Sequence, residues 1–279
     1  VMAISFAVLL YFGVEIYRQA PPVPEKVVKS DGTVLFTGKN IKDGQNACQS
    51  MGGQEIGTVW GHGAYQAPDW SADWLHREAV YMLDKMAFLQ DGKKYDELSD
   101  ERKAFFKVLL QKELRKNTYD NQSKTLVVSD LRAEAIAANS NFYSGLFTND
   151  PALADLRDAY SIPENSLKDP ERVAHLNSFF FWISWACVTQ RPGQEITYTN
   201  NWPAEDLVGN KPTGSLILWT GFSVIILLAG IGLMAWYYAT RKSEESESFP
   251  QDFPLKNEKQ TPSQKATVKY FWIVSALLL

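Results

Sequence analysis

The stretch LILWTGFSVIILLAGIGLMAWYYAT, residues 216–240, carries no charged side chain, and no other feature of the sequence restricts the fold as much. A helix needs roughly 20 apolar residues to cross the hydrocarbon of a bilayer, and this run exceeds that. Trp219 stands near one end and Trp236, Tyr237 and Tyr238 near the other, where amphipathic rings favour the headgroup level. Arg241 and Lys242 follow at once and mark the cytoplasmic side. Gly221, Ser223, Ala229, Gly230 and Gly232 either admit a second helix at close range or face lipid without a partner.

Two more apolar segments flank the chain. Residues 1–17, VMAISFAVLLYFGVEIY, read as the outer part of a first spanning helix, with Glu15 near the interface. They lack the basic n-region and small-residue cleavage site of a signal peptide. Residues 270–279, YFWIVSALLL, are too few to span. A helix stopping at mid-depth would leave its last carbonyls unpaired in hydrocarbon. The expectation is therefore a piece of a longer membrane protein, with further helices of the same polypeptide after Leu279 and some residues before Val1. The segment 214–240 is then a second transmembrane helix, and 241–269 a cytoplasmic loop with Arg241, Lys242, Lys265 and Lys269 near its ends. Its Ser, Glu, Pro and Lys composition suits an exposed linker. Residues 18–213 form an extracytoplasmic domain, periplasmic if the cell has an inner (cytoplasmic) membrane of the Gram-negative kind. The fold class expected is a membrane protein, mainly α, whose transmembrane helices flank a mostly helical domain with minor β.

Within 18–213, VVKSDGTVLFTG has the Asp-Gly mark of a β-hairpin. IKDGQNACQS suits a short helix. DWSADWLHREAVYMLDKMAFL predicts a helix capped by Asp69 or Ser71, with Trp74, Leu75, Tyr81, Met82 and Met86 on its apolar side. SDERKAFFKVLLQKELRKN predicts another, capped by Ser99, with Phe105, Leu109 and Leu110 facing the core. TLVV reads as a short strand and SDLRAEAIAANSNFYSGLF as a helix. Asp150-Pro151 and Asp169-Pro170 mark helix starts, aspartate as cap and proline at the first position. In the second of these helices the run from Phe179 to Trp185 is apolar all round and should be buried. EITYTNNWP is expected to be extended.

The chemistry that the residues allow is narrow. A net charge of −4 gives no global case for nucleic acid. Cys48 and Cys187 are the two cysteines, either paired in one disulfide or, more commonly for isolated apolar positions, small buried hydrophobes. There is no CxxC or CxxCH, so a covalently attached c-type haem is excluded, as are four-cysteine zinc and iron–sulfur sites. His62, His76 and His175 have no helical metal-site spacing. The plainer reading makes His76 and His175 partly exposed helix residues and His62 a hydrogen-bonding loop residue. No catalytic residue is assignable, and no cofactor-binding or metal-ligating set. GTVWGHGAYQAPDW, residues 57–70, holds three glycines that permit close backbone approach, and Pro68 fixes its exit. It is either a packed turn whose rings fill the core or a rigid platform presenting backbone to another surface.

Taken together, GHGAYQAPDWSADWLHRE, FFFWISWACVTQRPG and ITYTNNWP, set between a first helix and a Trp-rich second one, resemble the N-terminal part of quinol-dependent nitric oxide reductases of the haem-copper oxidase superfamily. The resemblance runs in order through essentially the whole chain. It implies an oxidoreductase that joins two nitric oxide molecules into N2O and water with electrons from membrane quinol. In cytochrome c-dependent relatives CxxCH precedes a GEGAY-like segment. Aligned on GAY, its cysteines fall on Gly53 and Ile56 and its axial histidine on Gly57, where this sequence reads GQEIG. The resemblance thus implies a cytochrome c-like domain without haem, covering low-spin haem b, high-spin haem b3 and a non-haem iron held by later helices. Gly63 and Tyr65 are the residues implied at the interface with those haem-bearing helices. His62 stands where GEGAY has an acid, which sets the calcium of the relatives in question here. A homodimer is also compatible with the resemblance. A second reading, a membrane-tethered binding or sensor module without enzymatic activity, needs only the topology.

Overall fold

The computed structural model describes residues 2–245 and 262–278. By its contacts the chain divides into two units, Val1–Leu218 and Trp219–Leu279.

The first unit begins with helix α1, Met2–Gln19, none of whose residues is buried. A four-stranded sheet follows: β1 (Lys26–Lys29), β2 (Val34–Thr37), β3 (Tyr119–Asp120) and β4 (Thr125–Val128), in the order β2-β1-β4-β3. The Asp-Gly turn closes the β1–β2 hairpin as expected. Asp31 Oδ1 accepts from Thr33 N at 2.8 Å, and Gly32 takes φ +86°, which glycine adopts without a Cβ clash. β1 also pairs with β4 in parallel, Val27 opposite Leu126. That pairing joins segments about a hundred residues apart, and nothing in the local pattern announces it.

Six helices build the rest: α2 (Gly38–Ser50), α3 (Trp70–Asp91), α4 (Asp100–Arg115), α5 (Asp130–Phe147), α6 (Ala154–Tyr160) and α7 (Pro170–Val188). Most of their starts carry side-chain caps, although Ser99, expected to cap α4, makes no such bond. Asp69 accepts from the backbone of Ser71 and Ala72, Ser129 from Arg132, and Asp169 from Glu171. Thr37 and Asn40 cap α2 reciprocally, starting it earlier than the sequence predicts. Asp150-Pro151 opens a short 3-10 turn, and α6 follows directly.

α7 is the central helix. From Phe179 to Val188 every side chain is buried except the partly buried Trp182. Each large apolar side chain so buried contributes about 1.5–3 kcal/mol. α2 crosses α7 at Gly44, where an added Cβ would overlap the carbonyl of His175 and stand 2.7 Å from Phe179 Cβ. Only glycine lets the two backbones approach so closely. α3 packs on α7 through Trp70 stacked on Phe180, ring centres 5.6 Å apart, and on α5 through Trp74 stacked on Tyr143 at 5.2 Å. Between α3 and α5 lies a buried ion pair, Arg132 Nε to Glu78 Oε1 at 2.7 Å, with the Arg132 guanidinium over the Phe181 ring. Burial raises the Glu78 carboxyl against the pull of Arg132.

Two local expectations are corrected. On α4 the buried residues are Phe106, Leu110 and Leu114, while Phe105 is 45 % exposed. The apolar spacing fits either register. Packing against α3 selects the Phe106 face, and Arg102 covers both rings from outside. The segment EITYTNNWP is not extended. It folds into tight turns with Asn200 and Asn201 in the left-handed region, φ +56° and +63°, which asparagine tolerates better than most residues.

In the second unit α8 (Gly214–Glu245, beginning within the first) carries a run, Ile217–Arg241, of 25 residues that is long and apolar enough to cross a membrane. None of it is buried. α9, Pro262–Leu278, takes in residues that the sequence assigns to the end of the loop. The remainder of that loop, 246–261, lies outside the described residues.

Candidate functional site

The glycine-rich loop is organised by one carboxylate. Asp69, 6 % exposed, accepts five hydrogen bonds: from Thr58 Oγ1 at 2.7 Å, Gly61 N at 2.6 Å, Ser71 N and Ala72 N at 3.0 Å each, and Ser71 Oγ. A buried carboxylate is tolerated when donors replace water in this way. Backbone bonds close the loop further: Thr58 N to Pro68 O, Trp70 N to Thr58 O and Ala64 N to Ala67 O. Thr58 Oγ1 accepts from Gly63 N at 2.8 Å, so Asp69 reaches Gly63 through the threonine. Gly63 has φ +85°. The tip that results is rigidly anchored and open. Tyr65 is fully exposed, and His62 and Gln66 are exposed beside it.

A second segment, residues 197–210, packs on this loop. Trp202 Nε1 donates to Gly61 O at 2.9 Å, and the His62 ring lies 4.7 Å from the Trp202 ring. The Trp202–Pro203 bond is cis. Amides hold this segment as Asp69 holds the other. Asn201 Oδ1 accepts from Thr197 N, and its amide donates to Lys211 O. Buried Asn210 donates to Cys187 O and Pro203 O and accepts from Glu205 N. Trp60, at φ +55°, ties the loop to α7 by donating Nε1 to Ile183 O at 2.9 Å.

The histidines stay apart in role. His76 pairs with Glu205 at 3.0 Å, and His175 is partly buried near Glu171. His62 is exposed and lies against the Trp202 ring. Among the described residues no three His, Cys, Asp or Glu side chains gather as a metal site. Nor does the loop suit calcium: Asp69 is its only carboxylate, and both oxygens are already engaged by donors. Cys48 and Cys187 are free and buried. Burial pushes the Cys48 thiol up to about 11 and raises that of Cys187 as well. The sequence named Asp69 only as one of two alternative caps. Its role as the hub of the loop, and the meeting of Trp202 with Gly61, had no local signal.

The position aligned with an axial haem ligand is Gly57, at φ +102°. A Cβ there would lie 2.5 Å from the Trp70 indole nitrogen, which donates to Ile56 O at 2.8 Å. Trp70 in turn contacts Phe180, Tyr143, Phe147 and Tyr160. The space beside Gly57 is therefore packed with rings, and a side chain added at that position would collide with Trp70.

Compared with known families, residues 24–204 match the NorB cytochrome c-like domain of nitric oxide reductase. No curated protein matches the chain.

Proposed function

The chain belongs to the NorB family of nitric oxide reductases through its cytochrome c-like domain, and from that membership we propose that it forms the extracytoplasmic cap and flanking helices of a quinol-dependent enzyme. That enzyme combines two nitric oxide molecules, two electrons and two protons into N2O and water. The observation that carries the quinol branch is the packing of Trp70 against Gly57. A domain whose ligand position is filled by indole passes no electrons through a c haem, so the donor enters from the membrane. The haems b and b3 and the non-haem iron belong to residues outside those described, and no chemical step is assigned to the side chains here. This domain contributes shape. Asp69 and Trp202 fix the loop so that Gly63 and Tyr65 present a rigid tip to the haem-bearing helices. α8 and its apolar run anchor the cap in the cytoplasmic membrane, with residues 18–213 on the periplasmic side.

The test uses the full-length protein extracted from membranes. A pyridine haemochrome spectrum should show b-type haem and no c-type band, and the protein should consume nitric oxide with reduced quinol but not with reduced cytochrome c. A c-type band, or turnover on cytochrome c, would overturn the quinol reading. Absence of b haem would overturn the enzyme.

A further inference from the structure

Where the last turn of α1 meets the 197–202 turns there is a cavity of about 390 Å³, within the range of ligand pockets. Its walls include Ile16 and Ala20 on one side and Trp60, Tyr198 and Trp202 on the other, with Arg191 among them. The two indoles have spent their N–H groups on Ile183 O and Gly61 O. They therefore turn only apolar faces to the cavity.

Gln19, Thr199 and Asn200 add neutral polar groups, and Arg191 is the one charged residue in this lining. It donates to Thr197 O at 3.0 Å, Tyr198 O at 2.8 Å and Gln19 Oε1 at 2.7 Å. All three acceptors are neutral. Among the described residues no carboxylate lies within ion-pair distance of it, and Glu15, beyond Gln19, is engaged by Arg18 and Gln19. Burial lowers the pKa of the Arg191 guanidinium, as expected for a cation partly removed from water without a counter-ion. Guanidinium groups in such places pair best with planar or tetrahedral oxyanions. Leading to the cavity, Leu9, Phe12 and Ile16 share one face of α1 by their three- and four-residue spacing, and all three are more than half exposed.

An uncompensated cation in an aromatic pocket, at the foot of an exposed apolar helix face, calls for an anion attached to a hydrocarbon chain. We propose that this cavity binds the headgroup of an anionic phospholipid, its phosphodiester on Arg191 and an acyl chain along Leu9, Phe12 and Ile16. Free phosphate would answer the charge and leave the apolar walls wet. A neutral quinol would answer the walls and leave the charge unpaired.

The experiment is native mass spectrometry of the full-length protein, delipidated in detergent and titrated with phosphatidylglycerol. One lipid per chain should bind at least tenfold more tightly than uncharged diacylglycerol. Arg191→Gln should weaken it about tenfold, and Arg191→Lys should restore much of the loss. Ala20→Trp puts an indole into the cavity while keeping Arg191 in the chain and should abolish binding. It decides the matter if Arg191→Gln does not fold. Binding unchanged in Ala20→Trp overturns the proposal. So does displacement of the lipid by inorganic phosphate, which would make this a free-anion site, or by a short-chain quinone. Haem content and nitric oxide turnover are separate readouts, so failure here leaves the proposed reaction standing.

Discussion

The tryptophans of the first unit and those of the second are used in opposite ways. Trp70, Trp74 and Trp185 are at most 2 % exposed, while Trp219, Trp236 and Trp272 are 66–70 % exposed. In the first unit the indoles stack on rings, and those of Trp60, Trp70, Trp182 and Trp202 donate to backbone carbonyls. In α8 and α9 the indoles lie open on helices whose neighbours are apolar. Water would not leave a 25-residue apolar run uncovered. The two regions thus place their rings in opposite ways. One packs its aromatic side chains inward, and the other leaves them exposed among apolar neighbours.

The sharpest way to break this comparison is to truncate one ring in each region. Trp70→Ala removes the stack on Phe180 and the bond to Ile56 O and opens a core cavity. It should lower unfolding stability by about 3–5 kcal/mol. Trp236→Ala in detergent should leave the unfolding midpoint of the domain unchanged. Equal losses would mean that the indoles of α8 pack inside protein after all.

A smaller effect separates carboxylates from hydroxyls as caps. Asp69→Ala strands five donors, and its cost should be about 3 kcal/mol. Ser99 occupies the N-cap of α4 but makes no side-chain bond to its backbone, so Ser99→Ala should change stability by less than about 0.5 kcal/mol. Denaturant titration of both variants distinguishes a hub from a cap that is one in position only.

The smallest effect concerns the thiols and leaves stability untouched. With the Cys48 thiol pushed up to about 11, its thiolate appears only as pH climbs toward that value. Alkylation at pH 8 should therefore leave Cys48 and Cys187 unmodified in the folded protein and label both after denaturation without reductant. Finding no reactive thiol in denaturant would show a disulfide and contradict the free cysteines.

Much of the local structure was legible in the residues themselves. The apolar length of 216–240, the Asp-Gly turn, the Asp-Pro helix starts and the all-round apolar run of α7 each act over a few residues. Their physics is complete within the window in which they are read. The face of α4 was not legible in this way, because Phe105 and Phe106 are both apolar and only contact with α3 ranks them. The turns of 197–202 were missed because Thr, Tyr and Trp favour strands, while the paired asparagines and the Thr197–Asn201 bonds prevail once the segment is buried.

The sequence by itself determined most of the helical segments, several of their caps, and that one of them is long and apolar enough to cross a membrane, since caps and hydropathy need no distant partner. Only the tertiary structure decided that Asp69 gathers the glycine loop, that Trp202 closes on Gly61, and that Arg191 faces a cavity without a counter-ion. Trp202 meets Gly61 across 141 residues of chain. Such a contact depends on how whole helices pack, and no short window of residues contains it.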